Sequence, residues 1–263
     1  LNPSFNCCLV NLADMLNNGT VINGKLVEKA HTFRTACTIA TQIIAQVASG
    51  QFGGQTITLS HLAPFVRISK EKFIRDTRRE WDAMGFEYTE DQLNAAVKVK
   101  LEEEVRGGIQ TFQYQINTLQ TSNGQAPFLS VFMYINEYPE YEEETVMLIE
   151  EMLKQRIQGM KNEVGAWITP AFPKLLYVTD ENNIHPDSKY YWLTKLAAVC
   201  VSTRMMPDFI SAKHMKKNYE GNVFGCMGCR AWLSPYKGPI NNTEGEYKWY
   251  GRFNMGLTSL NLA

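Results

Sequence analysis

Apolar residues between Leu26 and Ala48 fall at 26/27, 30, 33, 36/37, 40, 43/44 and 47/48. This 3.6-residue stripe, ended by Ser49-Gly50, predicts an amphipathic helix over 26–48. Ser69 is placed to cap a second helix running to about Met84. Thr89 and Gln92 form a capping-box pattern for a third, which reaches about Leu119 and keeps Leu93, Val97, Leu101, Val105, Ile109, Phe112 and Ile116 on one side. Gly107-Gly108 interrupts that helix at an energetic cost, so a bend or a close helix contact is expected there. Two further helices are predicted over Glu142 to Met160 and Ser188 to Met206. The glutamates that open the first of these complement the helix dipole rather than forming an acid/base site.

Compact runs of β-formers separate the helices, and strands are predicted at 7–12, 56–59, 129–135, 174–179 and 257–262. Asn-Gly turn signals at 18–19 and 23–24 flank Thr20-Val-Ile22 and predict a small surface hairpin. Alternating strands and helices without repeat or linker argue one α/β unit with largely parallel strands.

Composition narrows the function classes. The 263 residues carry a formal net charge of −1, so no basic field exists to hold nucleic acid by its phosphates. No run of 18 apolar residues and no secretory leader occurs, which points away from a membrane and towards the cytoplasm. Asn18-Gly-Thr20 and Asn241-Asn-Thr243 then read as turns rather than glycosylation sites. Six cysteines are too sparse for a disulfide scaffold and fit a reducing compartment. The first residue is Leu1, and 257–262 is read as a strand that stops with the chain, so a fragment of something longer is expected.

The chemistry concentrates in Asn222-Val-Phe-Gly-Cys-Met-Gly-Cys-Arg-Ala-Trp-Leu233, a glycine-punctuated loop holding Cys226 and Cys229. Three readings stand side by side. Two thiolates three residues apart are half of a tetrahedral zinc site, but no second pair is present. A Cys-x-x-Cys pair can exchange disulfides. A single loop cysteine can also carry a thiyl radical, which needs a rigid loop inside a closed cavity. Cys7 and Cys8 point to opposite faces of a strand, so only one can serve a site there. Cys37 and Cys200 lie on apolar helix faces and read as core. His31, His185 and His214 lack partners at metal-ligand spacing, so no metal site is expected in the chain. The polar loop Asn117 to Phe128 fits either a ligand site or a plain turn.

Five ordered blocks resemble the anaerobic, class III, ribonucleoside-triphosphate reductases. They are Phe5-Asn-Cys7, Asn117 to Phe128, Met205-Met-Pro-Asp-Phe209, Met227-Gly-Cys-Arg230 and Gly251 to Leu262. The resemblance spans essentially the whole chain. It implies part of a ten-stranded α/β barrel of the ribonucleotide reductase and glycyl radical enzyme type, with residues 1–263 as one catalytic-barrel fragment. That fragment would hold the first half of the barrel and a central finger loop around 222–234. Cys229 would be the thiyl cysteine that takes the ribose 3′ hydrogen, Cys7 the second active-site cysteine, and Asn254 the amide that binds the ribose hydroxyls. An amide at 254 is similar to the formate-using branch. Ser122, Asn123 and Gln125 become substrate contacts, and Cys226 has no counterpart in the pattern.

The resemblance further implies ribonucleoside triphosphates as substrates, ATP and dNTP effectors, a radical S-adenosylmethionine activating enzyme and a homodimer. The helix over 26–48 is similar to those that form the family's dimer face and bind its effectors. The family's ATP-cone and its C-terminal glycyl radical and zinc region are not expected here, so the isolated chain should be inactive. The competing expectations are a dithiol redox protein using Cys226 and Cys229, and a nucleotide-binding regulatory fragment.

Overall fold

The computed structural model describes residues 5–51, 53–122, 124, 126–237 and 247–255. At its centre is a sheet built from β1 (Cys7–Leu9), β2 (Gln55–Thr58), β3 (Leu129–Met133), β4 (Lys174–Thr179), β5 (Asp208–Ser211) and β6 (Arg252–Asn254). The spatial order is β6-β1-β2-β3-β4-β5. Neighbours from β1 to β5 run parallel, and β6 lies antiparallel on the outer side of β1. The sheet of the described residues is open.

Helices α1 (Phe33–Ser49), α2 (Ala63–Ala83), α3 (Glu90–Thr118), α4 (Glu142–Gln158) and α5 (Tyr191–Arg204) pack against one face. Alternation along the strands feeds that face with Cys8, Val10, Ile57, Leu129, Val131, Met133, Leu175 and Tyr177, all in one continuous core. A short helix, α6 (Ala212–Asn218), follows β5 and packs through Ala212 against the opposite face. The core strands β2 and β3 are buried on both sides, as parallel strands between two layers must be.

Four of the five predicted strands appear. The one predicted at 257–262 lies outside the described residues. A strand that the pattern did not reveal, β5, completes the parallel set: it is a four-residue edge strand whose residues alternate between half-buried and exposed. The hairpin is present as Thr20–Ile22 and Lys25–Val27, turned at Asn23 and Gly24 with φ of 48° and 72°. It takes the first residues of the stripe read as helix 26–48, so α1 begins only at Phe33, after its cap Thr32. Of these first apolar residues Val27 packs against the core from the hairpin, whereas Leu26 is exposed.

The second helix also starts earlier than Ser69 implies, at Ala63 with Pro64 in its first turn, where a missing N–H costs nothing. Ser69 instead serves α1. Its Oγ accepts from the Phe33 N–H at 2.8 Å, satisfying one orphan donor at the start of that helix. The Thr89 and Gln92 capping box is present as predicted.

Gly107-Gly108 marks a close helix contact. A Cβ on Gly108 would lie 2.4 Å from a ring atom of buried Phe33, and one on Gly107 2.4 Å from the Arg34 guanidinium. Gly108→Ala should therefore force α1 and α3 apart and lower stability by about 2 kcal/mol, despite Ala's better helix propensity. Denaturant melts of the two forms decide it; a stabilised variant would show that the contact yields without strain.

Candidate functional site

The face of the sheet opposite the helices is covered by residues 222–234, and glycine decides how closely. On β2 the Thr56 hydroxyl donates to the Cys226 carbonyl at 2.7 Å. A Cβ on Gly54 would lie 2.4 Å from Phe128 Cδ1, and one on Gly228 2.4 Å from Phe128 Cε1. The Phe128 ring thus fills the space that two missing side chains leave. At the tip, Arg230 N donates to the Met227 carbonyl and Met227 N to the Ala231 carbonyl, each at 2.8 Å. That tight reversal carries Cys229 outward.

The base of the loop is held by Arg252 of β6. Its Nη1 donates to the carbonyls of Leu233 and Ser234 at 3.0 and 2.7 Å, and its Nε to that of Trp249 at 2.9 Å. The guanidinium also stands 5.3 Å above the Phe224 ring, within cation–π range. Phe224 packs in turn on Tyr219, Trp232 and Trp249.

Beneath the tip, Cys7 and Asn254 are paired residues of β1 and β6. The Cys7 N–H donates to Asn254 Oδ1 at 2.7 Å, and the Gly54 N–H donates to Cys7 Sγ at 3.3 Å. Because Oδ1 is engaged, the Asn254 NH2 is left to donate elsewhere. Burial pushes the Cys7 thiol above its ordinary pKa; the Gly54 N–H opposes this, and negative charge on Cys229 adds to it. Cys7 therefore stays protonated at neutral pH. Cys8 turns to the helix side as alternation requires, donates to Gln51 Oε1 at 3.1 Å, and is pushed up to about 12 by burial.

The two loop cysteines have different surroundings. Cys226 is fully buried among Phe132, Tyr134, Leu176 and Val178, and burial pushes its thiol up to about 11. Cys229 is exposed. The closed cavity expected around a thiyl cysteine is thus not formed by the described residues, because one open sheet and its loop enclose only one side of the tip. Cys37 and Cys200 are core residues, as their helix faces predicted.

Ser122 makes both of its hydrogen bonds to Ser49 at the end of α1, at 3.3 and 3.4 Å. Asn123 and Gln125 lie outside the described residues. Among the described residues, no group of three or more His, Cys, Asp or Glu side chains could hold a metal ion, and no helix is long and apolar enough to cross a membrane.

Sequence patterns missed several groups around the sheet. Gly54 and Phe128 matter only through their contact, and Arg252 reads as an ordinary strand cation until its carbonyl partners are seen. At the far end of the strands, burial alone would raise the Asp180 carboxyl. Hydrogen bonds led by the one from Lys216, with others from Asn136 and Tyr134, hold it below the usual carboxylate range. That cluster ties β3, β4 and α6 together and is internally satisfied. His61 is buried against Tyr138 and Tyr250, which keeps it neutral down to about 3.

The whole chain, residues 1–263, matches the family model described as anaerobic ribonucleoside-triphosphate reductase. Curated relatives of that name include the protein of Enterobacteria phage T4, 37% identical over 99% of this chain and 40% of its own length. The Haemophilus influenzae protein is 34% identical over 99% of this chain and 34% of its own. The chain thus spans between a third and two fifths of these relatives. Its fold is similar to that of the anaerobic ribonucleotide reductase from Thermotoga maritima in complex with dATP and CTP, with TM-score 0.53, 12% identity, and coverage of 81% of this chain and 34% of that one. The same enzyme with dATP bound in the specificity site gives TM-score 0.54.

Proposed function

The chain belongs to the anaerobic ribonucleoside-triphosphate reductase family, and from that premise we propose that it forms half of a ten-stranded catalytic barrel, with residues 222–234 as its finger loop. In this reading Cys229 carries the thiyl radical that removes the 3′ hydrogen of a ribonucleoside triphosphate and later returns it. The observation that carries the reading is convergence. Cys7 and Asn254, far apart along the chain, are bonded to each other beneath the loop that carries Cys229, whose Met227 packs against Cys7.

The roles follow from the surroundings. Cys7, protonated because it is buried, holds the proton that the departing 2′ oxygen needs to leave as water. Asn254, with Oδ1 fixed by the Cys7 N–H, presents its NH2 to the ribose hydroxyls. A glycyl radical in a part of the protein beyond this chain would supply the oxidising equivalent. Formate, leaving as carbon dioxide, would supply the two electrons of the net reduction. Zinc is assigned to that outlying region too, as the family resemblance implies. Ser122, Asn123 and Gln125 remain proposed substrate contacts. Nucleotide effectors, a radical S-adenosylmethionine activating enzyme and a homodimer complete the proposal, in a cytoplasmic setting.

The dithiol reading is disfavoured because Cys226 is sealed in an apolar cluster and its thiol is held far from the thiolate form. One experiment separates the two. The complete reductase, activated without oxygen and given formate, is assayed with 3′-deuterated and unlabelled substrate, wild type beside Cys226→Ala. Slower turnover of the deuterated substrate, alike in both forms, is expected. Turnover indifferent to the label, or lost in Cys226→Ala, would sink the radical reading of this loop.

A further inference from the structure

Two of the sequence blocks, Met205-Met-Pro-Asp-Phe209 and Met227-Gly-Cys-Arg230, meet in one contact that the proposed chemistry does not use. Arg230 Nε donates to Asp208 Oδ2 at 2.6 Å, and Nη2 stands 2.5 Å from the same oxygen. Nη1 turns back and donates to the Gly228 carbonyl at 2.9 Å. Asp208 opens the edge strand β5 and is paired in register with Leu176, a residue of the loop-covered face. The guanidinium therefore joins the strand edge to the backbone on either side of Cys229.

Backbone geometry adds an independent observation. Arg230 has φ of 68°, in the left-handed region where glycine is at ease and a residue with a Cβ is destabilised by about 1 kcal/mol. This position closes the reversal that begins with the Met227 carbonyl. An arginine there relaxes to negative φ unless something holds it, and relaxation would turn the preceding peptide and with it Cys229. The charge-assisted bonds to Asp208 act beside the two backbone hydrogen bonds that close this reversal and are the side-chain contacts that hold it.

We propose that Arg230 is a positioning residue whose ion pair with Asp208 keeps the loop tip in its left-handed turn and so sets where Cys229 Sγ stands relative to Cys7 and the substrate. The inference rests on the reading of Cys229 as the hydrogen-transfer residue. Placement matters there because a shift near 1 Å in a reacting atom costs on the order of 100-fold in rate.

The test uses the complete reductase, activated without oxygen, carrying Asp208→Asn, Arg230→Ala or Arg230→Gly, with Cys229→Ala alongside. Asp208→Asn preserves shape and removes only the charge. It and Arg230→Ala are expected to lower kcat at least tenfold, with KM for the ribonucleotide within twofold and the glycyl radical signal unchanged. The 3′-deuterium isotope effect should rise, because hydrogen transfer becomes more limiting. Arg230→Gly, which keeps the turn without strain, should recover part of the loss. A kcat within twofold of wild type in both charge variants overturns the proposal. So does a loss shared equally by kcat, substrate affinity and radical content, since that pattern is general damage. Turnover by Cys229→Ala would instead remove the premise, and that outcome is read from its own arm.

Discussion

Cys229→Ala in the complete reductase is expected to abolish deoxynucleotide formation, by on the order of 10⁴-fold or more, while the glycyl radical signal and nucleotide binding persist. The expectation comes from the asymmetry of the loop. Cys229 is the exposed thiol at the tip of the loop that covers a protonated Cys7 whose amide is bound by Asn254. Its removal takes nothing from the core, so stability should stay within about 0.5 kcal/mol. Cys226→Ala is the mirror image. It empties part of the cluster formed with Phe132 and Leu176 and should cost about 1 kcal/mol, with turnover kept. Parallel thermal melts and formate-dependent assays give both numbers for each variant. Undiminished reduction by Cys229→Ala would move the search away from this loop altogether.

Gly228→Ala should also be damaging, though less so, for a steric reason. The added methyl would stand 2.4 Å from Phe128 Cε1, and that half-buried ring is crowded on three sides. Gly54 approaches it from β2, Phe172 packs at 4.9 Å between ring centroids, and Lys174 Nζ stands 4.8 Å over its face. The loop must lift instead, and Cys229 lifts with it. A drop in kcat of roughly 100-fold is expected, with about 1–3 kcal/mol of stability lost to overpacking. Single-turnover rates with saturating substrate isolate the first effect. Adding Phe128→Leu, which shortens the obstructing side chain, should restore part of the rate. If the double variant is no faster than Gly228→Ala, the ring is not what the methyl meets.

Much of the scaffold was legible because its causes are local. The Thr89 and Gln92 box, the Asn23-Gly24 turn and the runs at Val131 and Leu175 act within a few residues, where capping geometry, positive φ and side-chain alternation operate. Misplaced boundaries had local causes too. Leu26 and Val27 continue the apolar stripe of α1 in register although they sit in a hairpin, and Ser69 resembles a cap while bonding a different helix. Strand β5 escaped notice because four residues with half-exposed alternation carry little periodic signal.

The division for the candidate site runs along the same line. The sequence by itself determined that Cys7 and Cys8 face opposite ways, that Gly107-Gly108 marks a bend or a close contact, and, through five ordered blocks, the family to which the chain belongs. Each depends on backbone periodicity, on glycine's missing Cβ, or on a family pattern. Only the tertiary structure decided that Asn254 binds the amide of Cys7 across 247 positions, that Thr56 holds the Cys226 carbonyl across 170, and that Asp208 holds Arg230. No local pattern encodes those pairs. They exist because the sheet sets β6 antiparallel beside β1 and the loop 222–234 crosses one face of it, where burial seals Cys226 and leaves Cys229 at the tip.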